Sequence, residues 1–265
     1  MENNELINQK NNNASTENKE EYLVEANDIC MDFKLNKYKV DTLKERVVRI
    51  LKRNNKKVYL SVLKNVSFKI KKGESLGVIG HNGSGKSTLL KIVAGIYKPT
   101  SGSIETKGDI FLLNLGAGFD PEADAIENIF LSGAILGFSR KQMKERLDSI
   151  IQFAELNEFA HMPIKNYSSG MISRLGFAIA IDVNPDLLLV DEVLSVGDAN
   201  FRKKCMDKIH ELKAKGVSFM YVSHNINEVQ NLCEKTLWIE NSKVMDYGNS
   251  KEICQKYLEY CKNVG

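Results

Sequence analysis

Residues 80–88, Gly-His-Asn-Gly-Ser-Gly-Lys-Ser-Thr, hold the side chains best suited to phosphate chemistry. Glycines at this spacing let the backbone curl until successive N–H groups point inward at phosphate oxygens. The pattern G-x-x-x-x-G-K-[ST] predicts a phosphate loop built from Gly80, His81, Asn82, Gly83, Ser84, Gly85, Lys86, Ser87 and Thr88. Lys86 reaches the β- and γ-phosphates of a nucleotide, the Ser87 hydroxyl ligates Mg²⁺, and the His81 side chain is expected to face outward. Such a loop needs a carboxylate on a neighbouring strand to help hold the metal. Four apolar residues, 187–190, run into Asp191 and Glu192. Asp191 is expected to act on Mg²⁺ through water and Glu192 to polarise the attacking water, although paired acids at a strand end can also cap the next helix.

His224 closes the apolar run Phe219 to His224, where an imidazole can contact a γ-phosphate. His161 and His210 are given no role. Tyr167-Ser168-Ser169-Gly170-Met171 stands before another apolar run. Its serines read in two ways, as a helix N-cap or as an anion site made by the same unpaired N–H groups and the helix dipole.

The elements around these residues follow from periodicity. Residues 22–33 and 58–70 read as strands, with Lys72-Gly73 turning the chain after the second. Ser75–Gly80 is short and almost wholly apolar, as a buried parallel strand is. The segment after the loop is an amphipathic helix that stops before Pro99. Residues from about 120 to 180 are mostly helical, and 151–162 continues a helical period. The runs at 186–193 and 217–224 are buried strands followed by helical sequence; 236–248 is a hairpin turning at Asn241-Ser242, and 251–262 a closing helix. Alternating strands and helices with apolar central strands predict an α/β domain with a largely parallel sheet.

At 265 residues the chain has room for one large domain or two small ones, and 43% hydrophobic and 27% charged residues are ordinary for a soluble globular protein. The five cysteines have no metal or C-x-x-C spacing and read as small hydrophobes in a reducing compartment. No apolar run reaches membrane-spanning length and the polar residues 1–20 carry no secretory signal, so they read as a disordered tail of a cytosolic chain. Charge is uneven: Lys34 to Lys57 holds ten Lys/Arg against Asp41 and Glu45, a local +8 in a chain of net +3. Val40, Leu43, Val47, Ile50 and Leu51 fall near helical spacing within it, which predicts a basic amphipathic helix between the first two strands. It reads either as a solvated face or as a contact for an anionic partner.

Phosphate loop, Tyr-Ser-Ser-Gly-Met, Leu-Leu-Leu-Val-Asp-Glu and Val-Ser-His, in that order, resemble the ATP-binding subunit of ABC transporters over about residues 22–263. The resemblance implies a P-loop NTPase fold: a RecA-like, mostly parallel core at 21–265 with an antiparallel β subdomain and an inserted helical subdomain. It aligns Tyr167–Met171 with the family's Leu-Ser-Gly-Gly-Gln signature and carries phosphate contacts onto Ser168 and Gly170, with Ser169 between them. It makes Asp198 a candidate for a dimer interface and Tyr59 one for stacking on adenine, though a strand tyrosine also packs on a core. Lys86, Glu192 and His224 are the implied catalytic residues, and ATP and Mg²⁺ the implied ligands. The glutamine the family carries near 115–119 has no counterpart.

Asp-Glu-Val-Leu-Ser-Val-Gly-Asp at 191–198 and Leu-Gly-Ala-Gly-Phe at 115–119 narrow the resemblance to the subgroup exporting teichoic acid, O-antigen and capsule. That subgroup implies a homodimer, a separate transmembrane permease, and a lipid-linked polysaccharide near the basic helix. It implies a place on the cytoplasmic face of the membrane and no nucleic-acid partner. The C-terminal sugar-binding domain of many O-antigen members is not expected here. The rival readings are a cassette exporting a lipid or drug and a soluble non-transport ABC ATPase. A GTPase is disfavoured because Asn36-Lys37-Tyr38-Lys39 precedes the loop and lacks the base-reading Asp.

Overall fold

The computed structural model describes residues 21–35, 58–113, 118–191 and 198–264. Residues 1–20, most of the basic segment, positions 114–117 and Glu192 lie outside them.

Two sheets form the frame. Strands β1 (Tyr22–Leu35), β2 (Val58–Lys71) and β4 (Ser101–Thr106) make an antiparallel sheet in the order β2-β1-β4. The second sheet runs β5-β6-β7-β3-β8-β9, from β3 (Ser75–Ile79), β5 (Ile110–Leu113), β6 (Leu187–Asp191), β7 (Ser218–Val222), β8 (Lys235–Glu240) and β9 (Lys243–Asn249). All its neighbours are parallel except the β8–β9 hairpin. That hairpin turns at Asn241 and Ser242, with φ of 49° and 69°, the left-handed pair a two-residue hairpin requires.

The central strands are apolar on both faces because both faces are covered. Leu188, Val190, Phe219, Tyr221 and Trp238 pack on one side with helices α5 (Ala199–Ala214), α6 (Ile226–Leu232) and α7 (Ser250–Val264). Leu187, Leu189, Met220, Val222 and Leu237 pack on the other with α1 (Lys86–Val93) and the antiparallel sheet.

Helices α2 (Ala125–Ile135), α3 (Arg140–Ala154) and α4 (Ser169–Asp182) enclose a third core around Ile129, Met143, Ile150 and Leu175. Capping boxes start α2 at Asp124 with Glu127 and α3 at Ser139 with Gln142. Asn184 at φ 52°, followed by Pro185, stops the chain after α4. Phe177 and Ile181 of α4 also reach the sheet core, so this helix joins the two layers.

Three expectations need correction. Lys34 and Leu35 belong to β1 and do not open the basic segment; Leu35 pairs with Val58, so the chain enters and leaves 36–57 at adjacent points. The helical period at 151–162 does not persist, because Glu155 takes a left-handed φ of 61° that ends α3 before a short 3₁₀ turn, Asn157–Phe159. His224 lies two residues beyond the end of β7 rather than on it. Among the described residues no helix is long and apolar enough to cross a membrane, and no group of His, Cys, Asp and Glu has metal-site geometry. Burial pushes the Cys205 thiol up to about 12 and raises those of Cys233 and Cys254, so these thiols stay protonated at neutral pH.

Candidate functional site

Strand register builds the site. Val78 of β3 pairs with Val222 of β7, and Val222 pairs with Asp191 of β6. The chain therefore leaves one row of the parallel sheet into the glycine loop, into Ser223-His224 and at Asp191. That row is at the carboxyl edge of the strands, where open α/β sheets bind ligands.

The loop is held tightly at both ends and open in the middle. Gly80, Gly83 and Gly85 have φ of 143°, 81° and 112°, a region L side chains rarely enter. A Cβ on Gly80 would lie 1.8 Å from the Ile239 carbonyl oxygen, and one on Gly85 would lie 2.6 Å from Leu63 Cδ2. A Cβ on Gly83 would meet nothing within 4 Å among the described residues beyond its chain neighbours. Lys86, 5% exposed, donates through Nζ to the carbonyls of Gly80 at 2.8 Å and His81 at 2.9 Å. The Ser84 hydroxyl is buried, with no hydrogen-bond partner among the described residues. Ser87, in the first turn of α1, is exposed, and Thr88 beside it is partly buried. Curled backbone, a buried ammonium on exchangeable acceptors and an orphaned hydroxyl fit a phosphate ligand.

Asp191 is half-buried at the end of β6, and His224 is exposed between Ser223, whose hydroxyl accepts from the Asn225 amide at 3.0 Å, and α6. Tyr59 is 56% exposed on β2, opposite Lys34. Its strand continues to Val62 and Leu63, which border Gly85, so its ring stands about 10 Å along the strand from the loop.

Ser168, Ser169 and Gly170 open α4 in the helical layer. Ser168 is its N-cap and accepts from the Met171 amide at 3.2 Å; Ser169 starts the helix. Gly170 has an ordinary φ, and a Cβ there would meet only Ser168 Oγ, at 3.7 Å. Nothing among the described residues demands a glycine at that position. Tyr167 is buried and donates its hydroxyl to the Phe159 carbonyl at 2.6 Å.

Three contacts were not legible beforehand. The His81 side chain is half-exposed, yet its ring is not left to solvent alone: Nδ1 lies 2.7 Å from Glu240 Oε2. Arg174 of α4 bridges Glu155 and Asp198 while stacking over Phe201, which ties the helical layer to the start of α5. The hydrogen bonds of Asp198 with the Phe201 amide and the Arg174 charge hold its carboxyl below the usual range. Asn128, fully buried, bonds the main chain of Asp120, Ala123 and Asp124 and fixes the loop that enters α2. His81 lies inside the glycine loop and Arg174 four residues after Gly170, so both positions had a motif to draw notice, but neither motif names the partner.

Fold and loop together define a P-loop nucleotide-binding domain. Residues 63–195 match the ABC transporter family, and the chain belongs to that family. It is 46% identical over 202 residues to the O-antigen export system ATP-binding protein RfbB of Klebsiella pneumoniae, covering 76% of this chain and 82% of that one. It is 40% identical over 241 residues to the teichoic acids export ATP-binding protein TagH of Bacillus anthracis, covering 91% of this chain but 43% of that one. Its match thus spans less than half the length of that relative. Among solved structures it is similar, at TM-score 0.69 and 22% identity, to the dimeric post-hydrolysis state of the ATP-binding cassette MJ0796 bound to ADP and Pi; the match covers 86% of this chain and 98% of that one. The fold is that of the ABC cassette.

Proposed function

We propose that this chain is the ATPase subunit of an ABC exporter, acting with a second copy of itself to drive a lipid-linked cell-surface polysaccharide through a separate transmembrane permease. The observation that carries the catalytic part is the row Val78–Val222–Asp191, from which the phosphate loop, the His224 segment and the Asp191 carboxylate emerge together. The polymer class is supported by the similarity to the RfbB and TagH export proteins. In this reading residues 21–265 form one nucleotide-binding domain, with a helical subdomain at about 120–180 and a basic insertion at about 36–57. It works on the cytoplasmic face of the membrane.

The roles follow from the chemistry of the side chains. Loop amides and Lys86 hold the phosphates; Lys86 gives up the Gly80 and His81 carbonyls to do so. Ser87 and Asp191 hold Mg²⁺, which when bound offsets charge on the phosphates. Glu192 takes the proton of the attacking water, and His224 hydrogen-bonds the terminal phosphate. The amides of exposed Ser168 and half-buried Gly170, set in a different layer from the loop, receive the phosphate bound to the other copy. A glycine with no intramolecular reason supports that close approach. Tyr59 offers its exposed ring to the adenine.

Glu192→Gln is the test. Turnover in the purified protein should fall by about 10² to 10⁴ while ATP drives dimers that persist in size-exclusion chromatography. Turnover equal to the wild type would remove Glu192 from the role, and a monomer saturated with ATP would remove the shared site.

A further inference from the structure

Glu240 ends β8 and is 6% exposed. One of its oxygens, Oε2, accepts from both the His81 ring at 2.7 Å and the His81 main-chain N–H at 3.3 Å. The carbonyl of the same residue accepts from Lys86. His81 is thus fixed on both sides, by a carboxylate behind it and by the phosphate-binding lysine in front. The ring also meets Tyr257 and Tyr260 of α7, with centroids 5.9 and 6.3 Å away and interplanar angles of 60° and 66°. The two tyrosines also pack edge-on to Trp238, at 5.5 and 5.1 Å. Pairing of Ile79 with Trp238 brings β8 beneath the loop, across 159 residues of sequence.

The charge makes this more than packing. Burial opposes ionisation of Glu240, yet the hydrogen bonds and charge of His81 prevail and hold its carboxyl below the usual range. A carboxylate behind an anion-binding loop repels the ligand; an apolar side chain would fill the space without that penalty. What the carboxylate adds is a fixed orientation for His81, and so for the carbonyl on which Lys86 rests.

We propose that His81 is a positioning residue for the phosphate loop and that, through it, nucleotide binding is coupled to the C-terminal helix α7. The proposal rests on the ATP reading above. When Lys86 leaves the His81 carbonyl, that carbonyl keeps the Ser84 amide at 3.2 Å while the ring keeps Glu240 and the α7 tyrosines, so a change at the loop is felt at α7 and the reverse. Trp238 is the only tryptophan in the chain and sits inside this cluster, which gives the coupling its own fluorescence signal.

The experiment measures MgATP affinity by equilibrium dialysis and Trp238 emission, on the full chain. Wild type should bind ATP and Lys86→Ala should not; a wild type that binds no ATP overturns the ATP reading and this proposal with it. Given binding, His81→Ala should weaken affinity about tenfold, as expected for loss of a charge-assisted hydrogen bond. It should also abolish the ATP-induced change in Trp238 emission. His81→Asn, which keeps a donor near the Nδ1 position, should restore most of both. Glu240→Gln should weaken affinity similarly, and the double variant with His81→Ala should be no weaker than either single. Wild-type affinity and emission in His81→Ala, no rescue by Asn, or additive single effects each overturn the proposal and leave the ATP reading standing. Should His81→Ala fail to fold, Glu240→Gln decides: unchanged affinity and emission overturn it.

Discussion

Glu240 shows how much a single buried carboxylate can depend on one neighbour. Because His81 holds its carboxyl below the usual glutamate range, its stabilising contribution is complete above about pH 4.5. That contribution disappears as pH falls through the lowered folded value, where protonation becomes favourable in the native state too. Thermal melts of wild type should therefore be higher than those of Glu240→Gln at neutral pH and lose ground to them as pH falls below about 4.5. Parallel pH dependences for the two proteins would show that the carboxylate contributes nothing there. Lys86 follows the same logic with opposite charge. Its ammonium is buried against two carbonyls of its own loop, a pairing that satisfies it until a stronger anionic partner arrives.

At the scale of elements, two glycines in regular structure make opposite predictions. Gly77 lies in the middle of β3, paired to Tyr221 and Thr236, and a Cβ there would come within 2.4 Å of Val229 Cγ1. Its bare backbone is what lets α6 sit on the central strand. Gly77→Ala should cost about 1–3 kcal/mol in denaturant unfolding, since neither strand nor helix can shift freely. Gly170, in the first turn of α4, has an ordinary φ and open space around it. Gly170→Ala should leave stability unchanged or raise it by about 0.5–1 kcal/mol. Its ATP turnover should nevertheless fall at least tenfold, because a methyl group would stand where the other copy's phosphate approaches. Undiminished turnover would return this helix start to a plain serine cap. The Arg174 bridge between Glu155 and Asp198 explains how such a helix start is held in place: it pins the signature helix to the start of α5.

For the whole molecule, the two sheets and the helical layer put the nucleotide loop and the signature serines on different bodies of the same chain. In the proposed homodimer each ATP site takes its loop from one copy and its signature serines from the other. The basic segment is placed by its ends: Leu35 and Val58 are partners at the tip of the antiparallel sheet. Neutralising Arg46, Arg49, Lys52 and Arg53 together should abolish polymer export in cells while the ATPase activity of the purified protein stays near wild type. Export at the wild-type level would return these charges to a solvated face.

The phosphate loop, Asp191 and the serine cap of α4 were legible because each is a local pattern, with backbone geometry set by glycine spacing or by a side chain three residues away. The buried strands β3, β6 and β7 were legible for a related reason, since covering both faces leaves no polar positions. Strands β4 and β5 were not: they have six and four residues, and β4 is largely exposed, so no period develops. The end of α3 was hidden because apolar spacing runs on past Glu155 while the backbone turns left-handed there. By itself, then, the sequence determined the glycine loop proposed to hold phosphate and which strands are buried, through interactions a few residues long. Only the tertiary structure decided the strand order that aligns Asp191 with the loop, the seat of Gly77 under α6, and the grip of Glu240 on His81. These depend on pairings and close packing between segments up to 159 residues apart, where no local spacing carries information.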